Sequence, residues 1–529
     1  MRLTAWLDSP RGTRVHERSA EEASTALAPA GQTPPRTQTS GNSGGFGSRL
    51  ADARRVHVVG AGGAGMSAIA TVLVEMGYSV TGSDASDSPS LQRLGRLGVA
   101  VAVGSTPEMA VAADVVVLST AVPDSDADVT AARDSGTPVW SRADLLAAIC
   151  SLKRTIAVSG THGKTTTTAM IAITLDRLGW KPSWIVGSEI VGLGPGGRWD
   201  PDGEWLVVEA DESDGTFTRL DAQAVVVTNV EADHLEFYGD VGRLEDEFTR
   251  FASPSDGLAV LCADDPGALR VAARVDGAAR AVLTYGTSLN ADFAALDVEM
   301  HSDGSDFRVQ VPARAVPLAG GREVESEGRP DDWDVVVHLA VPGLHNVRNA
   351  AAAVAVGAAL GAPIESLGDA IGAFKGVARR FQSRGSAAGV SFVDGYDHLP
   401  SEVAAAIATA RLGNWSRVVA VFQPHRYSRT EALWSQFADS FEGADVVVIA
   451  GIYPAGEKPR PGVDENLIAE AVQRSHPDVE IHRAGTLRSV ASLLAELLQP
   501  GDLCLTLGAG DITEIPDMVM ASFDAVGRR

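Results

Sequence analysis

Two glycine-rich loops, each set between a β-branched run and a stretch of helical length, constrain this chain more than any other feature. In the first, RVHVVG leads into Gly60-Ala61-Gly62-Gly63-Ala64-Gly65 and then MSAIATVLVEMG, and the next run, SVTGSD, ends on Asp84. In the second, RTIAVS leads into Gly160-Thr161-His162-Gly163-Lys164-Thr165-Thr166 and a helix-forming segment closed by Gly179. Strand–loop–helix units of this kind build parallel sheets covered by helices. The expected fold class is therefore α/β. Further strands are expected at Val115–Ser119, Trp205–Glu209, Ala224–Thr228, Val418–Phe422, Val446–Ala450 and Leu503–Leu507.

A chain of 529 residues is too long for one core. At ~100–200 residues per domain, about three domains are expected. The βα pattern restarts near Leu152–Arg154 and breaks again near Arg380–Gly389. This gives an N-terminal Rossmann-like domain over 51–152, a central P-loop-type domain with a mainly parallel sheet over 153–383, and a C-terminal Rossmann-like domain over 384–529. Residues 1–50 are rich in Ser, Thr, Pro and Gly and poor in aliphatic side chains, so a disordered leader is expected there, with order beginning near Arg54. The polar stretch Ala315–Asp334 reads as a loop or hairpin insertion.

Charge and cysteine usage narrow the class. Lys and Arg total 44 against 68 Asp and Glu, a formal net charge of −24. A field of that sign repels nucleic acid and anionic membranes, so neither is an expected partner. Cys150, Cys262 and Cys504 stand in separate regions, which argues against a disulfide framework or a structural zinc site. The most apolar stretch, Ala350–Ala362, falls short of the ~18 residues of a membrane span, and the N-terminus lacks the apolar core of a secretory signal. A cytoplasmic enzyme or binding protein is the expectation.

The loops carry the chemistry. Around Gly60–Gly65 the glycines permit a tight turn and let helix N-terminal amides approach phosphate, with Asp84 placed for a ribose. NAD(P) is the plain reading, and a tight turn without ligand the bland one. No hydride-transfer site is evident downstream, so another diphosphate also fits. The second loop departs from GxxxxGK[ST], because Val158 stands at the first glycine position. Its mechanics survive: amides cradle phosphates, Lys164 offsets their charge and the Thr165 hydroxyl can bind Mg²⁺. The segment WLVVEADESD places Glu209 at a strand exit as a metal-ligand candidate, with Asp211, Glu212 and Asp214 beyond it, and AVVVTNVEADH delivers His234 to the same edge. Asn346 and Asn349 can share one helix face. Arg426 and Arg429 follow the strand VVAVF and suit a carboxylate.

Taken together, GAGGAGMSAIA, SGTHGKTTTT, VVEADESD, TNVEADH, PGLHNVRNAAAA, GVARRFQ, FQPHRYSRT and YPAGEKP resemble the Mur ligases from about Arg54 to Asp511. The resemblance implies ATP-dependent joining of L-alanine to the lactyl carboxylate of UDP-N-acetylmuramate through an acyl phosphate, in peptidoglycan precursor synthesis, with Mg²⁺ (or Mn²⁺). It implies a UDP-sugar site at Gly60, Gly62, Gly63, Gly65, Met66, Ser67, Asp84, Ser141, Arg142 and His162. It implies ATP contacts from Gly160, Thr161, His162, Gly163, Lys164, Thr165 and Thr166, from Asn346 and Asn349 on the adenine side, and from Asp394 at the ribose. Lys164, Glu209, His234 and Arg380 are implied as catalytic, with Thr165, Glu209 and His234 at metal. Tyr396, His398, Arg426 and Arg429 are implied for the amino acid. The chain is expected to work as a monomer or homodimer.

Two departures stand out. The family usually shows Asp-Asp-Tyr-Gly/Ala-His-His-Pro where this chain has Asp394-Gly395-Tyr396-Asp397-His398-Leu399-Pro400, and Gly187-Ser188-Glu189 replaces a common Gly-Gly pair. Asp397 is expected to favour a protonated His398. Two rivals follow from these features: an NAD-dependent oxidoreductase on the first loop, and a nucleotide-binding relative that has lost ligation.

Overall fold

The β-branched runs fold as strands because each is apolar on both faces and needs helices above and below it. In the computed structural model, which describes residues 43–253, 257–275, 281–312 and 332–527, they form three sheets. The first is parallel and ordered Ala100–Val103, Ser79–Asp84, Arg55–Val59, Val115–Leu118, Val139–Ser141. Its strand order reverses beside Arg55–Val59, so the Gly60 loop opens at a topological switch point, where ligands of such sheets collect.

The central sheet places Arg154–Ser159 between Ala224–Val227 and Trp205–Glu209, all parallel. Three loops that carry the second glycine motif, Glu209 and the His234 segment therefore leave the same edge. Leu258–Cys262 and Ala281–Gly286 extend the parallel part. Phe293–Met300, Ser305–Pro312 and Asp332–Leu339 turn it antiparallel at one end. The third sheet is ordered Gln382–Ala387, Val390–Gly395, Asp502–Leu507, Arg417–Phe422, Val446–Ala450, Glu480–Ala484 and is parallel except for its first strand. The architecture is α/β in three domains, with parallel sheets in each, as expected.

One expectation changes. Ser43–Asp52 is a helix, so order begins well before Arg54. Its Leu50 is fully buried, and the Tyr78 hydroxyl donates to the Leu50 carbonyl at 2.9 Å. Glycine is what lets it dock: a Cβ on Gly47 would lie 2.5 Å from the Ser151 hydroxyl, next to the helix Arg142–Cys150. The rest of the expected leader, residues 1–42, lies outside the described residues. So does most of the expected insertion at Ala315–Asp334, whose last residues open the strand Asp332–Leu339. The three cysteines are buried and unpaired, and no described helix is long and apolar enough to cross a membrane.

Candidate active site

The second glycine loop is built by close backbone approach. Gly160 has φ +141, and a Cβ there would lie 2.0 Å from the Thr228 hydroxyl. Gly163, at φ +79, caps the helix Lys164–Arg177 and aims its first amides at the loop. Thr228 and Asn229 of the neighbouring strand end tie the loop down: the Asn229 Oδ1 accepts the His162 amide at 2.9 Å.

Lys164 bends back over this loop. Its Nζ donates to the Gly160 carbonyl at 2.6 Å and the Thr161 carbonyl at 3.1 Å, and lies 2.9 Å from the Glu212 carboxylate. Glu212 is almost fully buried. Burial, with Asp211 beside it, pushes its carboxyl up to about 7. Lys164 stays charged: burial opposes it, but Glu212, Asp211 and Glu209 together raise its pKa. Glu209 takes a different partner set. Its Oε1 accepts the Thr165 hydroxyl at 2.9 Å and its Oε2 accepts the Gly187 amide at 2.7 Å. A Cβ on Gly187 would meet that oxygen at 2.8 Å, so a side chain at the first position of the altered Gly187-Ser188 pair would displace the Glu209 carboxylate. Ser188 instead donates to the Ala378 carbonyl at 3.1 Å.

Thr165 and Glu209 thus present two oxygen donors side by side at the mouth of a phosphate-type loop, which fits Mg²⁺, an ion that takes few protein ligands and completes its shell with phosphate and water. Among the described residues no cage of three or more His, Cys, Asp or Glu is preformed. His234 faces other carboxylates. It has φ +54, and its Nε2 lies 3.4 Å from Asp233 and 3.9 Å from Glu212, while burial holds the ring below its ordinary pKa.

The C-terminal residues converge on the same place. Arg429 reaches the Asp233 carboxylate at 3.3 and 3.4 Å and the His425 Nδ1 at 3.0 Å. Rings then continue from His425 to Tyr453, stacked at 5.7 Å, and from His425 to His398 at 5.8 Å and on to Tyr396 at 5.5 Å. The result is one polar chain: Lys164, Glu212, His234, Asp233, Arg429, His425. The guanidinium groups of Arg379 and Arg380 lie 5.0 and 5.2 Å from the Tyr396 ring, over which they stack as cations. Arg426, at φ +70, caps the helix Tyr427–Leu433.

The expected link between Asp397 and His398 is overturned. The carboxylate touching His398 is Glu402, 3.3 Å from Nδ1 and bonded to the His398 amide at 2.9 Å. Despite Glu402, burial drives the His398 pKa down to about 4, so the ring is neutral near pH 7. Burial and the Glu402 charge push Asp397 up to about 7 instead. His398 Nδ1 lies 2.9 Å from the Tyr396 carbonyl, an acceptor only, so Nδ1 carries the proton and Nε2 the lone pair.

The remaining expected residues divide. Asn346 and Asn349 are buried on one helix face, with Asn349 Oδ1 accepting the Thr167 hydroxyl at 3.1 Å, close behind the loop. A Cβ on Gly163 would approach that oxygen to 3.2 Å. His162 pairs with Glu231 at 3.1 Å, and Glu231 accepts the Ser401 hydroxyl at 2.9 Å, linking the loop to the C-terminal domain. In the first domain, Asp84 accepts the Gly62 amide at 2.9 Å. Met66 and Ser67 are buried in the helix that follows. Ser141 caps the helix Arg142–Cys150. Arg142 lies 3.3 Å from where a Gly65 Cβ would stand and pairs with Asp211 at 2.6 Å, joining the first loop to the central domain. Asp394 does not present an oxygen to a ribose. Its carboxylate is fully buried and accepts the Thr506 and Thr513 hydroxyls at 2.8 and 2.7 Å.

Sequence reasoning left Glu212 among acidic turn residues and missed Asp233, Glu402 and His425. Only the adjacency of Asp233 to His234, and the His-Arg-Tyr-Ser-Arg run holding His425, were local signals for any of them.

The comparisons with known proteins agree with this geometry. Residues 55–154 match the Mur ligase family catalytic domain, 158–357 the Mur ligase middle domain, and 379–510 the Mur ligase glutamate ligase domain. The UDP-N-acetylmuramate–L-alanine ligase of Rhodospirillum centenum is 42% identical over 473 residues, covering 89% of this chain and 95% of the relative. That of Xylella fastidiosa is 42% identical over 479 residues, covering 88% and 95%. The crystal structure of a UDP-N-acetylmuramate–alanine ligase from Thermotoga maritima shares the fold at a TM-score of 0.72 and 26% identity, covering 89% of this chain and 99% of that one. A murein peptide ligase from Psychrobacter arcticus shares it at 0.63 and 20% identity, covering 89% and 98%. Likeness that spans all three sheets and nearly the whole of each relative leaves one assignment: the chain belongs to the Mur ligase family.

Proposed function

We propose that the chain is a UDP-N-acetylmuramate–L-alanine ligase: it joins L-alanine to the lactyl carboxylate of UDP-N-acetylmuramate at the expense of ATP, in the cytoplasm, as a step of peptidoglycan precursor synthesis. The observation that carries the reading is the polar chain from Lys164 to Arg429, which brings a phosphate loop and a carboxylate-binding arginine pair to one site. An oxidoreductase has no use for that junction.

In this reading the first glycine loop takes the UDP, with Arg142 bridging it to the central domain. ATP lies along Gly160–Thr166, with Asn346 and Asn349 on the adenine side. The lactyl carboxylate attacks the γ-phosphate to give an acyl phosphate and ADP. The amine of L-alanine then attacks the acyl carbon, and phosphate leaves as the amide forms. Lys164 and Arg380 offset the charge of the transferring phosphoryl group. Thr165, Glu209 and His234 would hold Mg²⁺, which would supply charge neutralisation for the phosphoryl transfer. Burial keeps His398 unprotonated, so its Nε2 has a lone pair for the proton that the ammonium group must lose.

The test is phosphate release by purified protein with ATP, Mg²⁺, UDP-N-acetylmuramate, and each of L-alanine, glycine, L-serine or no amino acid. Release that needs both the sugar nucleotide and L-alanine is expected. Nucleotide binding with no release under any of these conditions would move the reading to a relative that has lost ligation.

A further inference from the structure

We infer that Asp233 is a further substrate-positioning residue, whose carboxylate receives the α-ammonium group of the incoming amino acid after leaving Arg429; this rests on the ligase reading above. Asp233 and Arg429 form a side-by-side anion and cation, only 12% and 10% exposed. Their contacts, at 3.3 and 3.4 Å, are long for a charge-assisted pair, which settles at ~2.7–2.9 Å. Among the described residues the buried Nε atoms of Arg426 and Arg429 have no hydrogen-bond partner. The arginine pair is therefore underused, and Asp233, whose Oδ1 also accepts the His234 amide at 2.9 Å, is a loose partner of Arg429.

An amino acid carries the same two charges in the same adjacency. Its α-carboxylate can replace Asp233 on Arg429, and the released Asp233 then faces the α-ammonium. One ion pair is exchanged for two, with no charge left unpaired in a buried place, which is where unpaired charge is costly. Other nearby carboxylates are committed: Glu231 to His162 and Ser401, Glu212 to Lys164, and Asp265 to the amides of Val230 and Ala268. A cleft of about 450 Å³ between the central and C-terminal domains is lined by Asp233, Thr161, Leu399, Pro400 and Gln436, so the carboxylate borders open space beside the phosphate loop. An amine held on Asp233 also lies next to His234, the following residue.

The experiment compares Asp233→Asn with the unaltered protein in two titrations, one with L-alanine as substrate and one with propionate, which is L-alanine without its amine, as competitor. Loss of a charged hydrogen bond predicts an L-alanine KM raised about 10–100-fold. The KM values for ATP and UDP-N-acetylmuramate should stay within about twofold, and propionate should inhibit as well as before or better, since Arg429 has lost its competitor. If Asp233 only holds Arg429 in place, propionate and L-alanine weaken together, and that result overturns the inference. So does an unchanged L-alanine KM. Should Asp233→Asn fail to fold, Asp233→Ser also removes the charge and carries the same comparison. The unaltered protein is read first with L-alanine, glycine and L-serine, any of which supplies the two charges. Failure there belongs to the ligase reading, and failure of the variant contrast belongs to Asp233.

Discussion

Lys164 and Glu212 form a buried ion pair at 2.9 Å, with 16% and 3% of their side chains exposed, and in it the lysine points at its own loop as well as at the acid. Phosphate must take the lysine from these partners. Lys164→Ala should abolish phosphate release and also destabilise, because it strands a buried carboxyl. The loss should be about 3 kcal/mol, the low end for a broken buried pair, since Glu212 can take up a proton instead. The double variant Lys164→Ala/Glu212→Gln removes the stranded charge. Thermal melts should recover most of the lost stability while release stays absent. Recovery of neither, or retention of activity in the single variant, contradicts this account.

The two glycine loops should respond differently to one added methyl. At Gly160 a Cβ collides with Thr228 Oγ1 and stands 3.0 Å from the Asn229 backbone, at a φ of +141. Gly160→Ala should lose nucleotide binding and several degrees of melting temperature. At Gly63 the nearest atom is the Gly60 carbonyl at 3.5 Å, and φ is −66, an ordinary value. Gly63→Ala should therefore change stability by less than about 0.5 kcal/mol. Any rise in its KM for the sugar nucleotide then reports a ligand that approaches the backbone closely. Equal stability losses in the two variants would mean that both loops are shaped by the protein alone.

Three histidines at the junction of the central and C-terminal domains set an acid limit. Burial lowers His345 and His398 to about 4 and His425 to about 3, from 6.5. Between pH 6.5 and 4 the unfolded chain binds protons that the folded one refuses. The contribution of these groups to stability is therefore full above about 6.5 and falls as the pH drops towards 4, by on the order of 3 kcal/mol for each. His345→Gln should shrink the fall in melting temperature between pH 7.5 and 5. A slope unchanged by that substitution would place the acid sensitivity elsewhere.

What could be read in advance follows the range of the interaction involved. Arg55–Val59, Trp205–Glu209 and Val446–Ala450 fold over the residues expected, because a short β-branched run in a parallel sheet is buried whatever its neighbours are. Lys164, Thr165 and Glu209 were legible because loop and strand exit belong to one sheet edge. The helix Ser43–Asp52 was not, since its glycines signal disorder by composition and close docking only once Arg142–Cys150 is in place. Asp233 and Arg429 are 196 positions apart, and their contact depends on how the C-terminal domain meets the central one. Local spacing holds no record of that. His398 departs from expectation for another reason: adjacency points to Asp397, whereas burial outweighs any charge beside the ring.

The altered segment Asp394–Pro400 contains an exchange. A Cβ on Gly395 would lie 2.0 Å from the Asp397 Oδ2, so the Asp397 carboxylate fills the space a side chain at 395 needs. The family's usual pattern has aspartate at the first of these positions and glycine or alanine at the second. The departures at 395 and 397 then read as one change, an acid moved two residues along whose carboxylate occupies the side-chain space at 395. Gly395→Asp alone should clash and set two acids together, losing stability and L-alanine-dependent phosphate release. Asp397→Gly alone opens that space and should cost less. The double variant Gly395→Asp/Asp397→Gly should recover both stability and release, with a coupling of about 1–3 kcal/mol between the sites. Melting temperature and phosphate release for the three variants decide it: a double variant no better than Gly395→Asp would mean that the two departures arose independently and that Asp397 does not stand in for the missing aspartate.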